Sequence, residues 1–358
     1  GVAFAIYLGG PAALFWMWAT AFLGMTTKYV EVTISHRYRV RDEAGRMAGG
    51  PMYFMERGLN MRWLAVFFAL ATLVSTFGSG NMPQSNNMAS GLEVSFGIPP
   101  WQSGIVLAAL LGLVIVGGIR WIAAVAARIV PLMGVLYAAG ALAVAVSHAD
   151  QILPSFAAVL SDAFTGSAAA GGFLGATFAY AFNRGVNRGL FSNEAGQGSA
   201  PIAHASAKTE EPVAEGMVAI LEPFIDTLLI CTLTGLVILS TGVWTQKFET
   251  EFETTTTEIL QGEYSDQNPE HVAALFAHLD FVPPDNDPVR AYTGTLDIVD
   301  GIARGGGVTI IHNRSVAEQV RFLSAGQPFS GTVQVNNGAI VSADLSLHGR
   351  SLLHSVPL

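Results

Sequence analysis

Hydrophobic and polar positions fall into long blocks along this chain. Stretches free of Asp, Glu, Lys and Arg run over 1–27, 63–92, 94–119, 129–149, 163–183 and 227–246. A helix that crosses a bilayer needs about 20 largely apolar residues. The pattern therefore predicts crossings over roughly 12–36, 62–90, 101–119, 121–147, 170–190 and 214–242. Residues 1–8 read as two helical turns stopped by Gly9-Gly10-Pro11, the second half of a helix whose first half precedes Gly1. Within 9–24 the aromatics Phe15, Trp16 and Trp18 suit a membrane–water boundary, where a ring can keep one wet edge.

Beyond 242 the periodicity changes. Residues 243–300 are acidic and rich in Thr and Glu, with Pro283-Pro284 and the Asp-Asn-Asp run that follows acting as turn signals. From 307 short β-type runs appear, with an Asn-Gly turn at 337–338, the strongest short-range hairpin signal. The expectation is a transmembrane core over 1–242 and a small α/β or β-rich extracytoplasmic module over 243–358, ending without a return crossing. The scattered His271, His278, His312, His348 and His354 read as surface residues.

Basic residues alternate between connections. The segment 28–62 carries Lys28, Arg37, Arg39, Arg41, Arg46, Arg57 and Arg62, and 91–100 carries none. Arg120 and Arg128 flank the next turn, 148–169 is bare again, and Arg184, Arg188 and Lys208 cluster before the last helix. This is the positive-inside pattern. It puts 28–62, the 120 region and 184–212 in the cytoplasm and the tail outside.

Composition narrows the class. Of 358 residues 51% are hydrophobic and 13% charged, against about 25% charged in a soluble domain. Mean hydropathy is +0.44. The net charge of −9 is concentrated in the tail, where 243–358 hold 6 basic and 14 acidic side chains. Neither part is basic enough for nucleic acid. Cys231, the single cysteine, excludes an intrachain disulfide. Gly196-x-Gly198 lacks the Gly-Lys-Ser/Thr that completes a phosphate loop, so nucleotide binding is excluded, and no His-Glu-x-x-His zinc motif occurs. No covalent chemistry is expected.

Three polar clusters interrupt the apolar part, where burying polar groups in hydrocarbon is costly. In 75–87, Gly78 and Gly80 thin the helix, Pro83 removes an amide donor, and Asn81, Gln84 and Asn87 recur at threes on one face, with Phe77 four residues before Asn81. This is one wall of a pocket for a small zwitterion or ion; the duller reading is glue between helices. The second cluster, 183–204, is dense in Gly, Asn and Ser and contains Arg184, Arg188 and Glu194. It suits a discontinuous helix whose unwound backbone meets a solute, or an ordinary cytoplasmic loop. The third is Glu215, Glu222 and Asp226, spaced by seven and four on one face. Glu222 and Asp226 would serve ion or proton coupling, or pair with Arg184 or Arg188. Glu31 reads as an interfacial anion near Lys28.

Three passages resemble the sodium:alanine (alanine or glycine:cation) symporter family. They are GGPAALFWMWATAFLGMTTKYVEV (9–32), RGLFSNEAGQGSAPIAHA (188–205) and FGSGNMPQSN (77–86). The resemblance covers about 1–242 and implies an all-α polytopic membrane protein, a partial LeuT-type inverted-repeat bundle. It also implies sodium-driven uptake of alanine, glycine or a similar small neutral amino acid across a bacterial inner membrane. Sodium is then a co-transported ion and no cofactor is needed; proton coupling, or a tail that is itself a binding module, are the alternatives. On this resemblance Gln84 offers its amide to substrate. Phe77, Gly80, Asn81, Phe178, Phe182 and Gly185 complete the expected substrate site, and Asn187, Arg188, Asn193, Glu194, Glu222 and Asp226 are the ion or gating candidates. The unwound part of helix 1 would precede Gly1, and the eighth helix would follow the tail.

Overall fold

The computed structural model describes residues 1–43, 45–78, 80–280, 289–304, 307–341 and 345–352, and only the backbone at 119 and 120. Ser79, Pro283-Pro284, the following Asp-Asn-Asp run and His354 lie outside the described residues, as does the Arg120 side chain. The helices are α1 (Val2–Gly9), α2 (Ala12–Arg37), α3 (Pro51–Arg57), α4 (Arg62–Gly78), α5 (Met82–Phe96), α6 (Pro100–Ile115), α7 (Gly118–Ser147), α8 (Ala149–Thr165), α9 (Phe178–Asn193), α10 (Ser199–His204), α11 (Pro212–Ala219), α12 (Leu221–Pro223), α13 (Cys231–Thr241) and α14 (Pro269–Leu279). A π-helical stretch, Phe224–Ile230, joins α12 to α13.

Among the described residues, three helical stretches are long and apolar enough to cross a membrane: Trp121–Ser147, Pro212–Thr241, and Arg62–Phe96, the last made of α4 and α5 on either side of Ser79. The protein is a mostly helical membrane protein. Two elements depart from the sequence pattern. Helix α8 occupies a stretch that the sequence pattern marked only as a connection between crossings. It carries Asp150, Asp162 and Pro154 among apolar residues, so a search for charge-free runs passes over it. The crossing expected over 170–190 starts later, at Phe178, because the glycine-rich 166–175 segment forms an irregular loop closed by the Ser167↔Ala176 bridge.

The chain folds as two compact units. One contains 1–16, 148–186 and the strand-rich region after 235. There, among the described residues, three four-stranded sheets, with every paired strand antiparallel, lie between Lys247 and Leu352. Their core holds Phe252, Ile259, Leu296, Ile298, Phe322, Val333 and Leu347. Asn337 and Gly338 have φ of 48° and 77°. That suits the two-residue turn between strands Gly331–Asn336 and Ala339–Ile340, whose twist needs two positive φ values. His312 is no surface residue. It is fully buried, with Nδ1 3.0 Å from Ser351 Oγ and its ring stacked on Phe252. A β position whose side chain points into a sheet core buries whatever residue occupies it.

The other unit contains 17–147 and 187–234. Val32, Ala200 and Ala219 pack α2, α10 and α11 together. Arg39, just past the end of α2, donates to the carbonyls of Ala207 at 2.7 Å and Thr209 at 2.6 Å, satisfying acceptors that a chain reversal leaves open.

Candidate functional site

In the first unit the break between α1 and α2 is held by a serine. Helix ends leave backbone groups without intrahelical partners. Ser167 Oγ donates to Gly9 O at 2.8 Å and accepts from Ala12 N at 3.2 Å, so it serves both sides of the Gly10-Pro11 kink. One turn on, Trp16 Nε1 donates to Ala163 O at 3.0 Å. Its ring meets Phe164, Phe178 and Phe182 edge-on, with Phe182 nearest at 4.7 Å. Phe178 and Phe182, one helical turn apart on α9, stack on each other at 6.0 Å. Gly185 lets α9 approach, since a Cβ there would fall 2.4 Å from Ala13 O and 2.6 Å from Trp16 Cβ. Phe178, Phe182 and Gly185 thus meet around Trp16, and both phenylalanines keep an exposed edge.

The second unit gathers charge. Lys28, on α2 with no solvent exposure, places Nζ 3.0 Å from Glu222 Oε2. Glu31, one turn along α2, faces the Gly196 and Gly198 amides, with Lys28 and Glu222 the nearest charges. The turn 194–198 that presents those amides needs positive φ at Glu194 (52°), Gly196 (82°) and Gly198 (81°). Glycine adopts that conformation without steric cost, which explains Gly-Gln-Gly at this turn. Asn193 is buried and its Oδ1 accepts from Ala195 N at 3.1 Å. Glu194 accepts from Ser199 Oγ at 2.6 Å. On the facing helices Asp226 Oδ2 accepts from Ser192 Oγ at 2.6 Å and Thr227 Oγ1 at 2.9 Å, while His204 Nδ1 lies 2.5 Å from Glu215.

Several expectations are revised by this geometry. Glu222 pairs with Lys28, and Asp226 accepts from hydroxyls, rather than from Arg184 or Arg188 as one of the two expected readings had it. Arg184 instead lies 4.6 Å over the Tyr180 ring and Arg188 5.9 Å over Phe191. From Phe224 the segment that carries Asp226 is π-helical, where the sequence spacing assumed an α-helix throughout. Phe77 lies in α4 and Asn81 caps the start of α5 with a non-helical φ of −142°, with Pro83 in the first turn, where a missing amide costs nothing. Phe77, Gly80, Asn81 and Gln84 are exposed. Among the described residues none of these four bonds to the charged group. Asn187 is also exposed.

Sequence reasoning missed Lys28 as the centre of the charged group and treated Glu31 as a bystander. The signal was present: Lys28 and Glu31 are the charges inside the predicted 12–36 crossing, and a charge at that depth needs a partner.

The family model for the sodium:alanine symporter family matches residues 1–278. The chain belongs to the sodium:alanine symporter family. That family comprises symporters, which are not enzymes. An uncharacterized transporter of Haemophilus influenzae is 46% identical over 245 residues, 68% of this chain and 54% of that protein. The sodium/alanine symporter AgcS of Methanococcus maripaludis is 45% identical over 247 residues, covering 68% and 54%. A putative sodium/proton-dependent alanine carrier protein, YrbD, of Bacillus subtilis is 40% identical over 244 residues, covering 68% and 49%. The chain spans about half the length of the curated relatives it matches. The charged group and the aromatic cluster both fall inside the family match.

Proposed function

We propose that this protein carries a small neutral amino acid, alanine or glycine, across a bacterial inner membrane by sodium symport. The observation that carries this reading is the family match over 1–278, supported by a relative named as a sodium/alanine symporter at 45% identity. The mechanism is alternating access in a LeuT-type inverted-repeat bundle. An inward sodium gradient favours occupancy of a midplane cavity, and movement of a helix bundle opens it to the cytoplasm. Phe77, Gly80, Asn81, Gln84, Phe178, Phe182 and Gly185 supply the solute's surroundings; Asn187, Arg188, Asn193, Glu194, Glu222 and Asp226 supply ion binding or gating. The basic connections face the cytoplasm and the strand-rich region faces outward.

Proton coupling is the second reading. The carboxylates of Glu31, Glu222 and Asp226 within apolar helices favour it, as does a relative named sodium/proton-dependent. Uptake of radiolabelled alanine by the full-length protein in proteoliposomes, with and without sodium at fixed pH, separates the two. Uptake that requires sodium supports symport with sodium. Sodium-independent uptake that collapses with the proton gradient overturns it in favour of protons.

A further inference from the structure

Arg314 is the largest fully buried side chain of the first unit that carries a charge, at 2% exposure. A cation in such a place must be paired and hydrogen-bonded to persist. Its guanidinium forks onto Asp280, with Nη2 to Oδ1 at 2.7 Å and Nη1 to Oδ2 at 3.0 Å. Both residues belong to the strand-rich region, and an internal brace for that region would end there.

The remaining contacts go elsewhere, to the segment that leads into α9. Arg314 Nη1 also donates to Gly175 O at 3.0 Å, and Leu174 N donates to Arg314 O at 2.9 Å. The guanidinium lies 4.0 Å over the Tyr180 ring, with Arg184 at 4.6 Å from the same ring. Asp280 Oδ1 accepts from Thr177 Oγ1 at 3.2 Å, and Thr177 Oγ1 accepts from Tyr180 N at 3.4 Å. Leu174 is buried in a core with Leu260, Leu275 and Ile311 of the strand-rich region. The neighbouring Asn313 Nδ2 reaches Tyr7 Oη on α1 at 3.1 Å. A cleft of about 280 Å³, bounded by Tyr180, Thr256, Glu258, Leu279, Asn313 and Arg314, borders the clamp. It gives the tyrosine ring space to shift.

Tyr180 lies between Phe178 and Phe182 in sequence, on the first turns of α9. A bidentate Arg–carboxylate fork fixes direction as well as distance, so the clamp sets where α9 begins. We propose that the Arg314–Asp280 pair is a positioning device: it holds Tyr180, and through α9 the Phe178–Phe182 wall, so that the strand-rich region sets the carrier's apparent affinity for its amino acid. Arg314 and Asp280 do not touch the solute. The inference rests on the carrier reading for its functional readout and on the clamp's geometry for the rest.

The test uses the full-length protein in proteoliposomes, with R314Q, R314K, D280N and Y180L, reading KM and maximal rate of alanine uptake. Hydrogen exchange of amides 166–182 is measured on the same samples. R314Q and D280N are expected to raise KM about tenfold with maximal rate within about twofold, as loss of solute positioning without loss of turnover requires. Exchange over 166–182 rises with them. R314K falls between, because an ammonium cannot fork. Unchanged KM in R314Q and D280N with faster exchange overturns the positioning role. Where R314Q does not fold, Y180L decides: it keeps the ion pair, and an unchanged KM overturns the proposal. If the unsubstituted protein moves no amino acid, the carrier reading falls and exchange alone judges the clamp. Faster exchange in R314Q then supports it, and unchanged exchange overturns it.

Discussion

Lys28 Nζ lies 3.0 Å from Glu222 Oε2, joining α2 to the segment before the π-helical stretch, although Lys28 itself has no solvent exposure. A lysine with its whole stem and head inside a protein keeps its charge only by holding an anion. The Glu222 side chain is 42% exposed, so the pair is anchored on the lysine side and open on the carboxylate side.

Lys28→Met is expected to destabilise the protein. Breaking a fully buried pair costs about 3–5 kcal/mol; with Glu222 partly exposed the loss falls below that range, at about 1–3 kcal/mol. Thermal melting in detergent measures it. The double variant K28M/E222Q should melt above K28M, since removing both charges leaves no anion unpaired. Losses for K28M and E222Q that add up to the loss of the double variant would show that the residues are not coupled.

Gly196 and Gly198 share nearly the same φ but differ in their surroundings. Alanine at either position costs about 1–2 kcal/mol for the left-handed backbone. A Cβ at Gly196 meets only Thr27 Cγ2 at 3.5 Å, whereas at Gly198 it falls 2.7 Å from Pro51 Cγ and 2.6 Å from Phe68 Cζ. G198A should therefore lower the melting temperature clearly more than G196A. A larger loss for G196A would contradict the packing described for this turn.

Asp226 has two hydroxyl donors, Ser192 and Thr227. A hydrogen bond to a charged group contributes about 1.5–3 kcal/mol. Either S192A or T227V alone leaves one donor in place, and the double variant leaves the carboxylate without both. The double should lose more than the sum of the singles in a chemical-denaturation series. Simple additivity would indicate that the two hydroxyls do not share the load.

Gln84 separates stability from function. It is exposed, and exposed substitutions usually change stability by less than about 0.5 kcal/mol. Q84A in the full-length protein should express and melt like its parent while sodium-dependent alanine uptake falls well below it. Uptake equal to the parent's would remove Gln84 from the proposed substrate site.

How much of this was legible in the sequence differs by element. The long apolar helix at 121–147 and the Asn337-Gly338 turn follow from local rules, an apolar run interrupted only by Arg128 in one case and two positive φ values in the other. Helix α8 was not legible to a charge-free-run criterion, because its apolar residues share turns with Asp150 and Asp162. The start of α5 was only half legible. Pro83 announced a disturbance, but whether it kinks one helix or starts another depends on where the preceding helix stops. Of the candidate site residues, the sequence marked Glu222 and Asp226 by their cost in an apolar run and could not say what answers them.

Local composition marked this as a membrane protein, three passages resembled the sodium:alanine symporter family, and the Gly-, Asn- and Ser-rich run 183–204 stood out from its apolar surroundings. Those properties depend on residue type and short spacing, which a linear chain carries in full. Pairing is different. Lys28 and Glu222 are almost 200 positions apart, Arg314 closes on Tyr180 from another part of the chain, and His312 is buried by a sheet whose register is set elsewhere. Low-dielectric burial makes each of these contacts strong, and which groups share a buried volume is fixed only when the chain has packed.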